Sequence, residues 1–186
     1  MSLTLTNPME LGFKAPEFSL VDVVTGTSKT FQELKGERGT VVMFICNHCP
    51  FVVHVREELI CLANDYLPKG IKCIAISSND VANYPQDGPT LMKELAVRDD
   101  FPFSYLYDES QQTAKAYNAA CTPDFSVFNE KMECVYRGQL DNSRPGNGIV
   151  VSGKDIREVC ELLWHRKEVP AQNQTPSIGC NIKWKN

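Results

Sequence analysis

The sequence predicts an α/β domain: a mixed central sheet flanked by helices on both faces, with an N-terminal β-hairpin and an extended C-terminal tail. Two observations carry that expectation. Short unbroken runs of β-forming apolar residues alternate with stretches whose apolar residues recur every three to four positions, the pattern of strands interleaved with helices. The length, 186 residues, suits one domain, and 1–186 shows no repeat, low-complexity tract or linker. A chain of this size can bury roughly 70% of its unfolded surface, so it needs no disulfide or metal to stay folded.

The elements follow in order. From Glu17 to Phe31 the chain alternates weakly around the turn Thr25-Gly26-Thr27, a hairpin signal. Thr40 to Ile45 is a continuous apolar run that fits a strand buried on both faces. It leads directly into Cys46-Asn47-His48-Cys49-Pro50. Beyond Pro50, which a first helical turn tolerates, Val52, Val55, Leu59, Leu62, Ala63 and Tyr66 form one helical stripe. His54 and Cys61 fall on its other face. Ile71 to Ile76 reads as a second buried strand, and the Pro- and Gly-bearing loop 84–89 precedes a helix from Thr90 to Arg98. Phe125–Phe128 and Cys134–Arg137 flank the turn Asn129-Glu130-Lys131 as an antiparallel hairpin. A last helix opens with Ser152 as N-cap and Asp155 three residues on, burying Ile156, Val159, Cys160 and Leu163. After Pro170 an extended tail returns Ile178, Ile182 and Trp184 to the body.

A formal net charge of −4 without a basic cluster argues against nucleic-acid binding. No apolar stretch approaches a membrane span, and the first residues lack the basic start and apolar core of a secretory signal. A cytoplasmic protein is expected, and its eight cysteines then read as reduced thiols rather than a disulfide scaffold. The oligomeric state is left open by the sequence.

The chemistry is expected at Cys46-Asn47-His48-Cys49. Thiol exchange needs a thiolate, and a helix N-terminus favours one through its partial positive charge and unpaired amides. At the strand–helix junction, Cys46 is expected to gain both and to attack, with Cys49 one turn later resolving the mixed disulfide. That role requires the pair to be reachable from solvent. A partly cationic His48 would stabilise the reduced form, and Asn47 would tune the loop by hydrogen bonding. The competing use of Cys-x-x-Cys, half a zinc site, lacks a second such pair.

These residues resemble the thioredoxin-like superfamily, and within it the peroxiredoxin-like proteins grouped with alkyl hydroperoxide reductase and thiol-specific antioxidant (AhpC/TSA). The matching segments are Cys46 to Phe51, Ser77-Ser78-Asn79-Asp80 with Tyr84-Pro85, and Tyr107 to Gln111. Cys121-Thr122-Pro123-Asp124, Asp141 to Pro145 and Pro176 to Lys185 complete them. The resemblance implies a cis Thr122-Pro123 bond facing the cysteine pair, with Thr122 offering backbone groups to a substrate strand. It does not extend to the peroxidase signature Pro-x-x-x-Thr-x-x-Cys. Aligned on Cys49, Cys46 and Val42 occupy the Thr and Pro positions; aligned on Cys46, Met43 and Gly39 do. The buried acid that the superfamily carries before its first cysteine is not evident either, Thr40 or a neighbour standing there.

Among the remaining thiols, Cys121 and Cys180 lie in matching segments and are candidates for an extra resolving role. Cys73 and Cys160 read as core, Cys61 as a surface thiol, and Cys134 is uninformative. His54 and His165 read as surface residues without partners, and Arg144 as lining the site or holding a turn with an Asp. The expected function is thiol–disulfide exchange with protein or small-molecule disulfides, without cofactor or metal. The alternatives are an antioxidant thiol peroxidase working through a sulfenic acid and a metal-binding module using Cys46, Cys49 and His48.

Overall fold

The computed structural model describes residues 3–171 and 174–185. Among the described residues ten strands run in chain order: β1 (Leu3–Leu5), β2 (Ser19–Asp22), β3 (Ser28–Thr30), β4 (Gly39–Phe44), β5 (Ile71–Ser77), β6 (Ser104–Tyr107), β7 (Cys121–Thr122), β8 (Asp124–Asn129), β9 (Cys134–Gly138) and β10 (Ile178–Asn181). The helices are α1 (Phe31–Leu34), α2 (Pro50–Tyr66), α3 (Pro89–Arg98), α4 (Gln112–Ala116) and α5 (Lys154–Trp164).

Seven strands form the central sheet in the order β3-β2-β6-β5-β4-β8-β9. The inner strands β4, β5 and β6 are parallel, and β2, β3, β8 and β9 add antiparallel edges, so the sheet is mixed as expected. A second, three-stranded sheet has the order β1-β10-β7.

The apolar run of β4 is buried throughout because each face packs a different core. Val41 and Met43 join the α2 and α5 stripes, with Leu59, Leu62 and Ile156. Val42 and Phe44 point the other way, to Phe31 of α1, Ala114 of α4, Tyr117 and Phe128. Every residue of the expected α2 stripe is buried, as are the four of α5.

Three expectations need correction. The α5 N-cap is Gly153, not Ser152, in the left-handed region at φ 63°. A carboxylate from outside the helix does the work: Asp141 Oδ2 accepts from the amides of Ser152 and Gly153, both at 2.7 Å. A side chain at Gly153 would also collide with Glu58. Strand β6 was not expected, being only four residues long; its pairing with β5 and β2 makes it a strand. Finally, the tail is not merely extended, since β10 pairs with both β1 and β7. No helix among the described residues is long and apolar enough to cross a membrane.

Candidate active site

Strand β4 delivers the chain into Cys46-Asn47-His48-Cys49, and α2 starts at Pro50 with Cys49 as its N-cap. The helix terminus therefore lies at the second cysteine, not the first, and its partial positive charge favours a thiolate on Cys49. All eight cysteines are free thiols.

Cys46 Sγ lies 3.5 Å from Thr122 Oγ1 and 4.0 Å from His48 Nδ1. A hydrogen bond joins it to the Cys49 sulfur. That bond, desolvation and the nearby Asp87 carboxylate push the Cys46 thiol well above its ordinary value. The same bond, received from Cys46 and supplemented from Cys180 and Thr122, draws Cys49 down to about 4. One contact opposes this, because Thr122 O sits 3.1 Å from Cys49 Sγ and can accept only from the thiol. The donors outnumber that carbonyl, so the resting negative charge belongs on Cys49 and the shared proton on Cys46, the reverse of the sequence expectation.

The pair is also closed. Cys46 is 2% exposed and Cys49 fully buried, against the expectation of a solvent-reachable pair. His48 stands beside Cys46 at the edge of the site, its side chain 20% exposed and stacked on Tyr84 at an interplanar angle of 11°.

Sequence reasoning missed the anchor of this loop. Asp87, wholly buried, accepts from the amides of Asn47 at 2.8 Å and His48 at 3.3 Å. Its other oxygen meets His48 Nδ1 at 2.6 Å and Asn79 Nδ2 at 2.8 Å. Asn47 is fixed on both sides, giving Nδ2 to Gln86 O at 3.0 Å and receiving the Tyr105 hydroxyl at 3.1 Å. Asp87 carries no motif of its own and lies about 40 positions from Asn47 and His48, although it sits within the Pro- and Gly-bearing loop.

Thr122-Pro123 is cis and lies against the pair. The edge of Thr122 is already occupied: β10 pairs with β7, setting Cys180 opposite Thr122 and Asn181 opposite Cys121. The backbones come so close that a Cβ at Gly179 would stand 2.0 Å from Thr122 O. Burial, and then the interaction of its thiol with the Cys49 sulfur, push Cys180, 3% exposed, up to about 12.

Cys121 is buried but turns away, its sulfur 3.9 Å from Thr6 Oγ1 and 3.6 Å from Pro123 O. Cys73, Cys134 and Cys160 are core thiols raised by desolvation, and Cys61 is exposed. Two smaller expectations change. His54 is not unpartnered, because Nε2 lies 2.7 Å from Ser143 Oγ. Arg144 holds its turn through the carbonyls of Asp141 and Ser143, both 2.6 Å away, rather than through a carboxylate. Asp124, beside Pro123, is fully buried and paired with Arg137 at 3.3 Å.

Residues 10–150 match the Redoxin family. An uncharacterised conserved protein of Geobacillus kaustophilus is 53% identical, covering 100% of this chain and 97% of that one, with a TM-score of 0.97. A hypothetical protein of Sinorhizobium meliloti is 42% identical over 98% of each chain, with a TM-score of 0.95. At 14% identity, a thiol:disulfide interchange protein of the thioredoxin family from Chlorobium tepidum shares the fold, covering 84% of this chain and 99% of that one with a TM-score of 0.63. No protein among those with curated functions matches. With a thioredoxin-like sheet, a cis Thr122-Pro123 bond against its Cys-x-x-Cys pair, and a family match over most of its length, this chain belongs to the Redoxin family.

Proposed function

We propose that the protein is a thiol–disulfide oxidoreductase that exchanges electrons with protein or small-molecule disulfides through Cys46 and Cys49. The observation that carries the reading is the pair itself: two reduced sulfurs leading into the N-terminus of α2, both in contact with Thr122. Eight free thiols suit a reducing compartment such as the cytoplasm.

The contacts of the pair support one order of steps. At rest Cys49 is the thiolate and Cys46 its proton donor. Transfer of that proton to Cys49 leaves a thiolate on Cys46, the less enclosed sulfur, which attacks an incoming disulfide and expels one of its sulfurs as a thiolate. Cys49 then loses its proton and attacks Cys46 in the mixed disulfide, which releases the second thiolate and leaves a Cys46–Cys49 bond. The reverse sequence oxidises a dithiol. Because both sulfurs are buried, exchange requires local opening, and His48, partly exposed and beside Cys46, is the side chain whose displacement uncovers it.

Equilibration with glutathione, acid quenching and peptide mapping test the proposal. A reversible two-electron couple lost in Cys46→Ser and in Cys49→Ser is expected. Its absence, with hydrogen peroxide rapidly converting Cys46 to a sulfenic acid, would replace it with the peroxidase reading.

A metal-binding reading has one observation of its own, since donor atoms of Cys46, His48 and Asp87 lie within 4.8 Å of one another. Asp87 already receives two amides, His48 and Asn79 there, so an ion would have to displace bonds that hold the loop. Stoichiometric zinc in the purified protein would favour it.

A further inference from the structure

We propose that Cys180 is a third redox thiol of the site, exchanging into the Cys46–Cys49 pair to form a Cys49–Cys180 disulfide. This rests on the exchange reading of the pair and adds a residue and a second oxidised state to it.

The placement of Cys180 is specific. It sits on β10, directly opposite Thr122 in the β7–β10 pairing, and Thr122 touches both sulfurs of the pair. Glycine at the preceding position lets the two backbones approach to a distance that no Cβ would permit. Cys180 shares the face of Thr122 that meets the pair, and its thiol and that of Cys46 both draw the Cys49 thiol down, so Cys49 is the common neighbour of two thiols. A Cys49–Cys180 bond would bring the two sulfurs to roughly 2 Å, with the side chains turning about their Cα–Cβ bonds. Cys121 lies next to Thr122 in sequence, yet its sulfur bonds elsewhere, to Thr6 and Pro123.

The step needs no outside oxidant or reductant once the pair is oxidised. Cys180 loses its proton, and its thiolate attacks the Cys49 sulfur of the Cys46–Cys49 bond. That bond breaks, Cys46 departs as a thiolate and takes up a proton, and the new bond joins Cys49 to Cys180. The oxidised state moves to a covered position that ties β10 to the start of α2, and Cys46 is returned as a free thiol.

The test is a disulfide map of the full chain after equilibration with oxidised and reduced glutathione, with free thiols alkylated after acid quenching. Wild type is expected to yield both Cys46–Cys49 and Cys49–Cys180 linked peptides. Cys46→Ser should carry most of its chain as the Cys49–Cys180 form, reversibly, and the double variant with Cys180→Ser should lose it. Cys46→Ala serves if the serine variant misfolds, and the wild-type map needs no substitution at all. A wild-type map with Cys46–Cys49 alone, together with alkylated Cys49 and Cys180 in Cys46→Ser, overturns the role of Cys180 and leaves the pair intact. A wild-type map without any Cys46–Cys49 bond overturns the exchange reading itself.

Discussion

His48 Nδ1 and Asp87 Oδ2 lie 2.6 Å apart, and the carboxylate that holds the imidazole is wholly buried and holds the backbone amides of Asn47 and His48 as well. The loop between the two cysteines is thus tethered to a negative charge supplied from another part of the chain. Asp87→Asn removes the charge while nearly keeping the shape. Because the carboxylate helps to keep Cys46 protonated, the variant should lower the pH at which Cys46 ionises, read by thiolate ultraviolet absorbance in a Cys49→Ser background. It should also cost about 1–3 kcal/mol in denaturant unfolding, as expected where a charged acceptor of several buried bonds is replaced.

The pair's potential should follow pH with a shallow slope. With Cys49 drawn down to about 4 and Cys46 held well above its ordinary value, reduction takes up two electrons but only one proton between those limits. The midpoint potential should fall by about 30 mV per pH unit rather than about 60. A glutathione titration repeated between pH ~5 and ~8 measures it, and the full two-proton slope would show that both thiols of the reduced pair stay protonated in this range.

The same two thiols shape stability. The depressed group contributes stability to the reduced protein that is present at and above the ordinary thiol value and lost as pH falls toward about 4. The raised group acts oppositely, its contribution fading as pH rises past the ordinary thiol value. Reduced protein should therefore gain stability relative to the oxidised form from acid to neutral pH and lose that gain in alkali. Urea midpoints of the two forms across pH check the sign.

Gly179→Ala should loosen the site from behind. The new methyl would meet the Thr122 carbonyl at 2.0 Å, a contact with backbone that must shift. A loss of about 1–3 kcal/mol is expected, as for other overpacked positions, together with faster alkylation of Cys46 in the native protein. An unchanged alkylation rate would show that β10 does not control access.

Arg137→Ala should be among the most damaging single changes. Arg137 joins Asp124 and Ser126 of β8 to the carbonyls of Asn118 and Asn7, and its removal strands a buried carboxylate already pushed up by desolvation. A loss of about 3–5 kcal/mol is expected, measured by chemical unfolding.

The parts legible in the sequence were those written in local pattern. The α2 stripe, the two-sided burial of β4 and the junction placing Cys46 to Cys49 all follow from residues near one another in the chain. What escaped depends on distant partners. Asp87 becomes part of the site only because α3 and the loop before it return to the cysteine loop. Gly153 caps α5 because Asp141 supplies the acceptor that the sequence assigns to Ser152. The site of the resting charge was misplaced by one helical turn, since a proline at 50 fits a helix starting there or earlier. The closure of the pair was illegible because β10, His48 and Thr122 each contribute one wall.

Those walls come from widely separated stretches of the chain, and β10 is the one synthesised last. A nascent chain can assemble β4, α2 and β5 early, because their contacts are close in sequence. The strand that covers the edge beside Thr122 leaves the ribosome more than a hundred residues after Cys46. Throughout that interval the two cysteines lack their cover, so the newly made protein is more open to alkylation and oxidation than the finished one. Protection of this pair is a late event in the life of the chain, acquired when the far strand docks.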